Sequence, residues 1–237
     1  MSQGFFVTGT DTGVGKTTVA CALVRALAGL DLRVAAMKPV ASGCRAGPDG
    51  MRCDDVLALE AAANVRAGRA LVNPYAFAPG IAPHLAAQSA GVAIAIERIV
   101  AAYAALARQA DAVVVEGVGG FRVPLGQGVD TADLAAALGL PIVLVVGLRL
   151  GCINHALLTA EAIAHRGLVF AGWIGNVLDP ALPALDGNIA ALTERLPAPC
   201  LGIHPHAGRE PAVGSGAMAA AAARLWLHQN TVKEQYT

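Results

Sequence analysis

Lysine is scarce in this chain: among 237 residues there are only Lys16, Lys38 and Lys233, and arginine supplies the rest of the positive charge. A lysine in a glycine loop or at a strand end therefore stands out. Charge is sparse altogether, at 14%, and balanced, with 17 residues of each sign. That balance excludes a generic basic nucleic-acid binder and an acidic solvating tail. Aromatics make up 4%, so Ala, Val and Leu carry most of a 55% hydrophobic content that is incompatible with disorder. Mean hydropathy is +0.55, yet long apolar runs are missing. The stretches 134–148 and 85–96 fall short of the ~20 residues a membrane span needs, and Gly139 and Pro141 interrupt the first. The five cysteines (Cys21, Cys44, Cys53, Cys152, Cys200) are odd in number and scattered, with no CxxC, which argues against a disulfide framework and a zinc knuckle and suits a reducing, cytoplasmic setting. The opening MSQGFFVTGTDTG has no basic region or cleavage site, so no signal peptide is expected.

What is present is alternation. Val/Ile/Leu-rich runs predict strands at 5–9, 33–37, 112–115, 141–146, 168–174 and 200–203. Helices are expected at 16–28, with Gly29 as a stop signal, and at 55–65, 92–108, 153–165, 184–196 and 217–228. The segment 73–84 carries three prolines and is expected to be irregular. Strands apolar on both faces, alternating with helices, predict one doubly wound, mostly parallel α/β domain over 1–237. Ligands in such sheets sit at the carboxyl ends of the strands.

The strand FFVTG runs into Thr10-Asp11-Thr12-Gly13-Val14-Gly15-Lys16-Thr17-Thr18 and then a helix, which is the context of a phosphate-binding P-loop. Glycines let backbone N–H groups face phosphate oxygens, and the helix N-terminus adds partial positive charge. Lys16 can reach the β/γ-phosphates and the Thr17 hydroxyl can bind Mg²⁺. The usual pattern G-x-x-x-x-G-K needs glycine at position 10; this chain has Thr10, with Gly9 one residue early.

Mg²⁺ needs acidic groups. Glu116 ends a buried strand and precedes Gly117-Val118-Gly119-Gly120, which puts it at the P-loop edge of the sheet unless it is a cap or surface acid. Asp54 and Asp55 follow the loop 42–53 and start a helix; capping and metal binding both fit, and the residues alone do not choose between them. Lys38 closes a core strand ahead of Pro39-Val40-Ala41-Ser42-Gly43, so it is either a snorkelling surface lysine or a second phosphate or carbamate ligand beside Lys16.

Taken with Asn73-Pro74-Tyr75, Pro83-His84 and Gly151-Cys152-Ile153-Asn154-His155, these motifs resemble the dethiobiotin synthetase family from about residue 4 to 207. The resemblance implies a P-loop α/β homodimer that uses ATP and Mg²⁺ to join 7,8-diaminononanoate and CO₂ into the cyclic urea dethiobiotin, in biotin synthesis. It implies Thr17, Asp55 and Glu116 as Mg²⁺ ligands, Gly13, Val14, Gly15, Lys16, Thr17 and Thr18 as the phosphate cradle, and Lys38 with Lys16 as the catalytic lysines. It implies substrate contacts at Thr12, Lys38 and Ser42. The nucleotide contacts would extend to Gly117, Val118, Gly119, Asn176, Val177, Pro205, His206 and Ala207, although His204 and His206 flank Pro205 where apolar residues are expected. The helix start at Gly151 and Asn154 would bind a substrate carboxylate across the subunit interface. Cys152 is expected to pack rather than react.

Two other readings are weaker. A P-loop amidoligase such as a cobyrinate a,c-diamide synthase needs an ammonia-generating glutaminase, for which this chain has no room. An ATP-driven partitioning switch wants an extra loop lysine and a basic tail helix, and only Arg224 carries a full positive charge in 217–228. Small-molecule substrates, and neither nucleic acid nor membrane, are the expected partners.

Overall fold

The computed structural model describes residues 3–47, 50–126, 128–206, 221 and 224–226. The strand β1 (Gln3–Gly9) passes through a six-residue loop into α1 (Lys16–Ala28). Then come β2 (Val34–Met37), β3 (Val40–Ser42), the hairpin of β4 (Arg45–Gly47) and β5 (Gly50–Arg52), α2 (Asp54–Ala62), α3 (Arg69–Val72) and β6 (Tyr75–Phe77). Next are α4 (Pro83–Ser89), α5 (Ile96–Ala107), β7 (Ala112–Glu116), the hairpin of β8 (Pro124–Gly126) and β9 (Val129–Asp130), and α6 (Thr131–Leu138). The remaining elements are β10 (Ile142–Leu148), α7 (Cys152–His165), β11 (Phe170–Val177), α8 (Leu185–Arg195) and β12 (Cys200–His204).

Six strands form one sheet in the order β12-β11-β10-β1-β7-β2, with every neighbouring pair parallel. The period-2 alternation of strand side chains divides the core. Phe5, Val7, Val114, Val143 and Val145 face α1, while Phe6, Val113 and Val115 face the layer of α5 and α6. Leu144, Val146 and Trp173 pack under α7 and α8. The strand β1 lies where the direction of winding reverses: β7 and β2 lie on one side, and β10, β11 and β12 are added later on the other. The crevice at its carboxyl end is the expected ligand position.

Several boundaries differ from the sequence reading. The segment 73–84 is ordered: β6 lies between Pro74 and Pro79 and pairs in parallel with β3. Pro83 occupies the first turn of α4, where its missing N–H is not needed. The helix expected from residue 92 begins at Ile96, because the chain first has to close α4: Gly91 turns at φ 64° and the Val92 N–H bonds the Ala87 carbonyl. The helix α6 lay hidden in an apolar run, yet it has a complete capping box of Asp130 and Asp133 and a left-handed Gly139 at its end. Gly29 keeps a right-handed conformation at φ −68°, and the left-handed turn falls on Asp31 instead. The strand β11 runs to Val177, so Asn176 lies inside it rather than after it.

A disulfide joins Cys44 and Cys53, whose Cα atoms are 4.5 Å apart. The spacing gave no sign of it. The β4–β5 register pairs Arg45 with Arg52, which sets the next residue on each side face to face. Cys21 and Cys152 are buried free thiols, Cys152 packing in the α7 core as expected. The helix expected at 217–228 lies outside the described residues except for 221 and 224–226, where Ala221 and Leu225 join the α1-side core. Among the described residues no helix is long and apolar enough to cross a membrane.

Candidate active site

The loop after β1 is held from several sides. Gly13 and Gly15 turn at φ 73° and 88°, where an L side chain is strained. Thr10 donates its N–H to the Val145 carbonyl at 3.0 Å, and its hydroxyl lies 3.5 Å from the Gly147 N–H, so the residue rides on β10. The glycine requirement sits one residue earlier: a Cβ on Gly9 would lie 2.6 Å from Val14 Cγ2 and 3.1 Å from Lys16 Cγ. This accounts for the shifted motif. Asp11 organises the loop three ways. Its Oδ1 accepts from the Thr12 N–H at 2.7 Å, its Oδ2 from Arg149 at 2.7 Å, and its carbonyl from Lys16 Nζ at 2.9 Å. Val14 is buried, leaving only its backbone to the loop.

Facing this loop, the ends of β2 and β7 contribute a compact charge cluster. Lys38 Nζ donates to Glu116 Oε1 at 2.5 Å and to the Gly117 carbonyl at 3.0 Å, and sits 3.1 Å from Asp55 Oδ2. The Thr17 hydroxyl donates to the same Glu116 oxygen at 2.9 Å. Lys16, Lys38 and Glu116 are 7%, 3% and 1% exposed. Desolvation, reinforced by the Lys38 charge, lowers Lys16 to about 8. Burial pushes the Glu116 carboxyl up, against the pull of Lys38. Burial acts to raise Asp55 as well, but Lys38, Thr17 and Lys16 outweigh it and hold that carboxyl below its ordinary range.

Asp54 and Asp55 face opposite ways, although they are neighbours in the first turn of α2. Asp54 meets Arg45 at 2.6 Å on the surface, both side chains 75% exposed, an arrangement of little energetic weight. The cap of α2 is Cys53, so neither aspartate caps it with its side chain. The Lys38–Pro39 turn is fixed by Asn73, which is buried and whose Nδ2 donates to the Lys38 carbonyl at 2.6 Å and the Tyr75 carbonyl at 3.0 Å. Neither Asn73 nor Arg149 emerges from residue spacing as a support of the site, because each acts on a residue distant in sequence.

A cavity of about 360 Å³ is lined by Thr12, Gly13, Gly15, Lys16, Thr17, Thr18, Lys38, Ala41, Ser42, Asp55, Glu116, Val118 and Gly119. The other expected residues lie elsewhere. Gly117 contributes its carbonyl to Lys38. Asn176 is buried against the loop, its Nδ2 donating to the Val14 carbonyl at 2.9 Å. His206 Nδ1 lies 3.3 Å from the carbonyl of Val177, Pro205 adjoins it, and Ala207 is outside the described residues. Gly151 and Asn154 are exposed at the start of α7 and do not line the cavity within one chain.

The donor set suits a hard divalent cation. Glu116 Oε2 is buried without a hydrogen-bond partner, and the Thr17 hydroxyl and the Asp55 carboxylate adjoin the same residue cluster. Oxygen donors of this kind suit Mg²⁺, which takes one or two carboxylates and completes its shell with water and phosphate. Among the described residues no cluster of three or more His, Cys, Asp or Glu offers an all-protein cage. A cation here depends on the hydroxyl and on a bound phosphate.

A model of the AAA domain family matches residues 3–209. The ATP-dependent dethiobiotin synthetase BioD of Pseudomonas aeruginosa is 54% identical over 224 residues, covering 94% of this chain and 96% of its own. The protein of the same name from Ralstonia nicotianae is 56% identical over 207 residues, covering 87% and 90%. Among solved structures, the MinC:MinD cell division complex of Aquifex aeolicus superposes with TM-score 0.59 at 17% identity, covering 95% of this chain and 96% of the other. A ParA family ATPase from Chlorobium tepidum gives 0.53 at 12%, covering 96% and 93%. At those identities the structural likeness is one of fold alone. More than half the residues are shared with the two sequence relatives along most of the length, and the chain belongs to the AAA domain family and to the ATP-dependent dethiobiotin synthetases.

Proposed function

We infer that this chain, working as one domain over 1–237, carboxylates and cyclises 7,8-diaminononanoate with CO₂ and ATP, giving dethiobiotin, ADP and phosphate. The observation that carries the reading is the convergence of a buried second lysine, Lys38, and Ser42 on the cavity of the phosphate loop. It occurs in a chain 50–56% identical to ATP-dependent dethiobiotin synthetases.

The chemistry follows from the charges. One amine of the substrate attacks CO₂ and loses a proton, giving a carbamate, whose carbon is a weak electrophile. A carbamate oxygen attacks the γ-phosphorus of ATP and ADP leaves, so the carbamate becomes a carbamic–phosphoric anhydride. The second amine attacks the anhydride carbonyl, loses a proton and expels phosphate, closing the urea ring. Several anionic groups must be held together, and preorganised cations and N–H dipoles do this at low reorganisation cost. Gly13 to Thr18 cradle the phosphates, Lys16 takes the β/γ oxygens, Lys38 faces the carbamate and the moving phosphoryl group, and Thr12 and Ser42 hold the diamine end. Thr17, Asp55 and Glu116 hold Mg²⁺, which neutralises phosphate charge when bound. None of the three steps calls for an enzyme nucleophile.

The nucleotide base lies along the β11 and β12 ends, at Asn176, Val177, Pro205, His206 and Ala207, with Gly117, Val118 and Gly119 on the phosphate side. The enzyme is a cytoplasmic homodimer in which Gly151 and Asn154 bind the substrate carboxylate of the facing subunit. The exposure of Leu150 (90%), in the turn before α7, and of Leu158 (57%), within it, supports such an interface. The test is purified chain with diaminononanoate, ¹³C-bicarbonate and Mg·ATP. The expected product is dethiobiotin with one ¹³C, and one ADP formed for each. ATP hydrolysis stimulated by DNA or lipid and indifferent to the diamine would overturn the reading in favour of a switch ATPase.

A further inference from the structure

This inference rests on the reading of Thr17, Asp55 and Glu116 as holders of a divalent cation. In the chain alone, the space between the two carboxylates contains the ammonium of Lys38. Its nitrogen is 2.5 Å from Glu116 Oε1 and 3.1 Å from Asp55 Oδ2, so those oxygens are at most 5.6 Å apart. A third contact, 3.0 Å to the Gly117 carbonyl, matches the third ammonium proton. The side chain is 4% exposed and Glu116 is 1% exposed. Two carboxylates this close, one fully buried, need a counter-ion, and an unpaired buried charge is strongly unfavourable. The backbone of Lys38 is pinned on both sides, its N–H to the Val72 carbonyl at 2.8 Å and its carbonyl to Asn73 Nδ2 at 2.6 Å. Any motion is therefore confined to the side chain.

We propose that Lys38 serves as the counter-ion of Asp55 and Glu116 until a divalent cation takes that role, and that its ammonium is then exchanged out. An ammonium and a dication at contact distance from the same two carboxylates repel each other, and the Thr17 hydroxyl that would join the cation is bonded to the same Glu116 oxygen that holds Lys38. The cation removes the carboxylates' need for the lysine. The freed ammonium then turns into the cavity it already lines with Ala41 and Ser42, where an anionic substrate group provides new acceptors. Loading the metal nucleotide thus releases the catalytic lysine to meet the carbamate. Lys16 has no such exchange to make, since it bonds the Asp11 carbonyl rather than a carboxylate.

The lysine scarcity makes this observable. A ¹⁵N-lysine-labelled chain carries three side-chain ammonium groups, and the Lys38 signal is the one absent in Lys38→Arg. The chain is titrated with Mg²⁺, with ADP, and with both, while Mn²⁺ binding is followed in parallel by the resonance of free Mn²⁺. The expected result is a slowly exchanging Lys38 ammonium without metal. At saturating Mg²⁺ together with ADP, its proton exchange with water should accelerate at least about tenfold. Lys233 should stay unchanged, and ADP alone should leave Lys38 in place. A Lys38 signal unmoved at metal saturation overturns the exchange while leaving the metal site standing. Failure of Mn²⁺ to bind in the presence of ADP, or equal binding by Glu116→Gln, removes the metal reading itself. Near-ultraviolet dichroism of both variants checks that they are folded.

Discussion

The Asn176 amide donates to the Val14 carbonyl at 2.9 Å, fastening the end of β11 to the phosphate loop. Gly15 lies against the same amide: a Cβ there would stand 2.0 Å from Asn176 Nδ2, on a backbone already at φ 88°. Gly15→Ala therefore has to break this contact or reshape the loop. The expected outcome is loss of ATP affinity by about 10² or more, as for removal of preorganised phosphate donors, with a folded chain by circular dichroism. Asn176→Ala should loosen the loop without blocking it and raise the ATP dissociation constant by about tenfold, one lost buried hydrogen bond. Calorimetry decides both, and normal ATP binding by Gly15→Ala would falsify the tight packing.

The two adjacent aspartates give a contrast inside one helical turn. Asp55 contacts Lys38 at 3.1 Å inside the cavity, whereas Asp54 pairs with Arg45 in solvent. Asp55→Asn should raise the Mg²⁺ concentration for half-maximal turnover by about tenfold or more, since an amide is a poor ligand for a hard cation. Asp54→Asn should leave turnover within about twofold. The greater damage from Asp54→Asn would mean that the α2 start is rotated by one residue.

How much of this was legible in the sequence depends on how local the cause is. The strand, glycine loop and helix around Gly15-Lys16 read directly because each signal lies within a dozen residues. Glu116 and Lys38 read as strand-end charges, yet their 2.5 Å contact spans 78 positions and follows only from β2 pairing with β7. The difference between Asp54 and Asp55 is one of helical phase, set by where α2 docks. The Cys44–Cys53 bridge depends on hairpin register, and α6 was masked because its apolar residues merge with those of β10. The contacts and the bridge belong to tertiary pairing, whereas α6 was missed locally, its capping box of Asp130 and Asp133 standing ahead of an apolar run.

The depressed Lys16 sets a pH dependence. Its ammonium titrates near 8 in the free site, through burial and the charge of Lys38. A triphosphate favours the charged form, so binding takes up a proton above that pH. ATP affinity measured in EDTA should be flat below about pH 7.5 and fall by up to about tenfold per unit above 8. Calorimetry in buffers of different ionisation enthalpy should show proton uptake near zero at pH 7, rising toward one at pH 9. The folded value lies below the ordinary 10.5. Between about 8 and 10.5 the unfolded chain therefore binds more protons, and this residue's contribution to stability rises with pH across that window. Lys16→Met should abolish both slopes.

The disulfide closes a loop of sequence separation 9 between Ser42 and Asp55, two residues of the cavity. Chain-entropy reasoning gives a stabilisation of about 2–3 kcal/mol for a loop of that size. Cys44→Ser or full reduction should lower the melting temperature by roughly 5–10 °C, and raise the diamine KM more than the ATP KM, since the hairpin adjoins Ser42 rather than the phosphate loop. Thiol titration of the unfolded, unreduced chain should count three free cysteines; a count of five would remove the bridge.

The last prediction concerns the partner subunit. The start of α7 is exposed at Gly151 and Asn154, outside the cavity of its own chain. If its N-terminal N–H groups bind the carboxylate of a diamine seated in the facing subunit, Asn154→Asp puts a negative charge beside that carboxylate, a penalty on the order of 1 kcal/mol or more when partly buried. The diamine KM should rise by about tenfold, and ATP binding should stay unchanged because the phosphate loop is untouched. Lys38→Ala inactivates the other half of the site. Mixing the two variants gives heterodimers in which one site combines an intact Lys38 from one chain with an intact Asn154 from the other. At diamine concentrations well below the wild-type KM, the Asn154→Asp parent should keep about a tenth of the wild-type rate and the Lys38→Ala parent almost none, while the mixture should rise to about a quarter of the wild-type level for random exchange of equal amounts. Mass spectrometry of the mixture verifies heterodimer formation. Verified heterodimers with no recovery would place the carboxylate contact within one chain and remove the reason for the dimer to be required in catalysis.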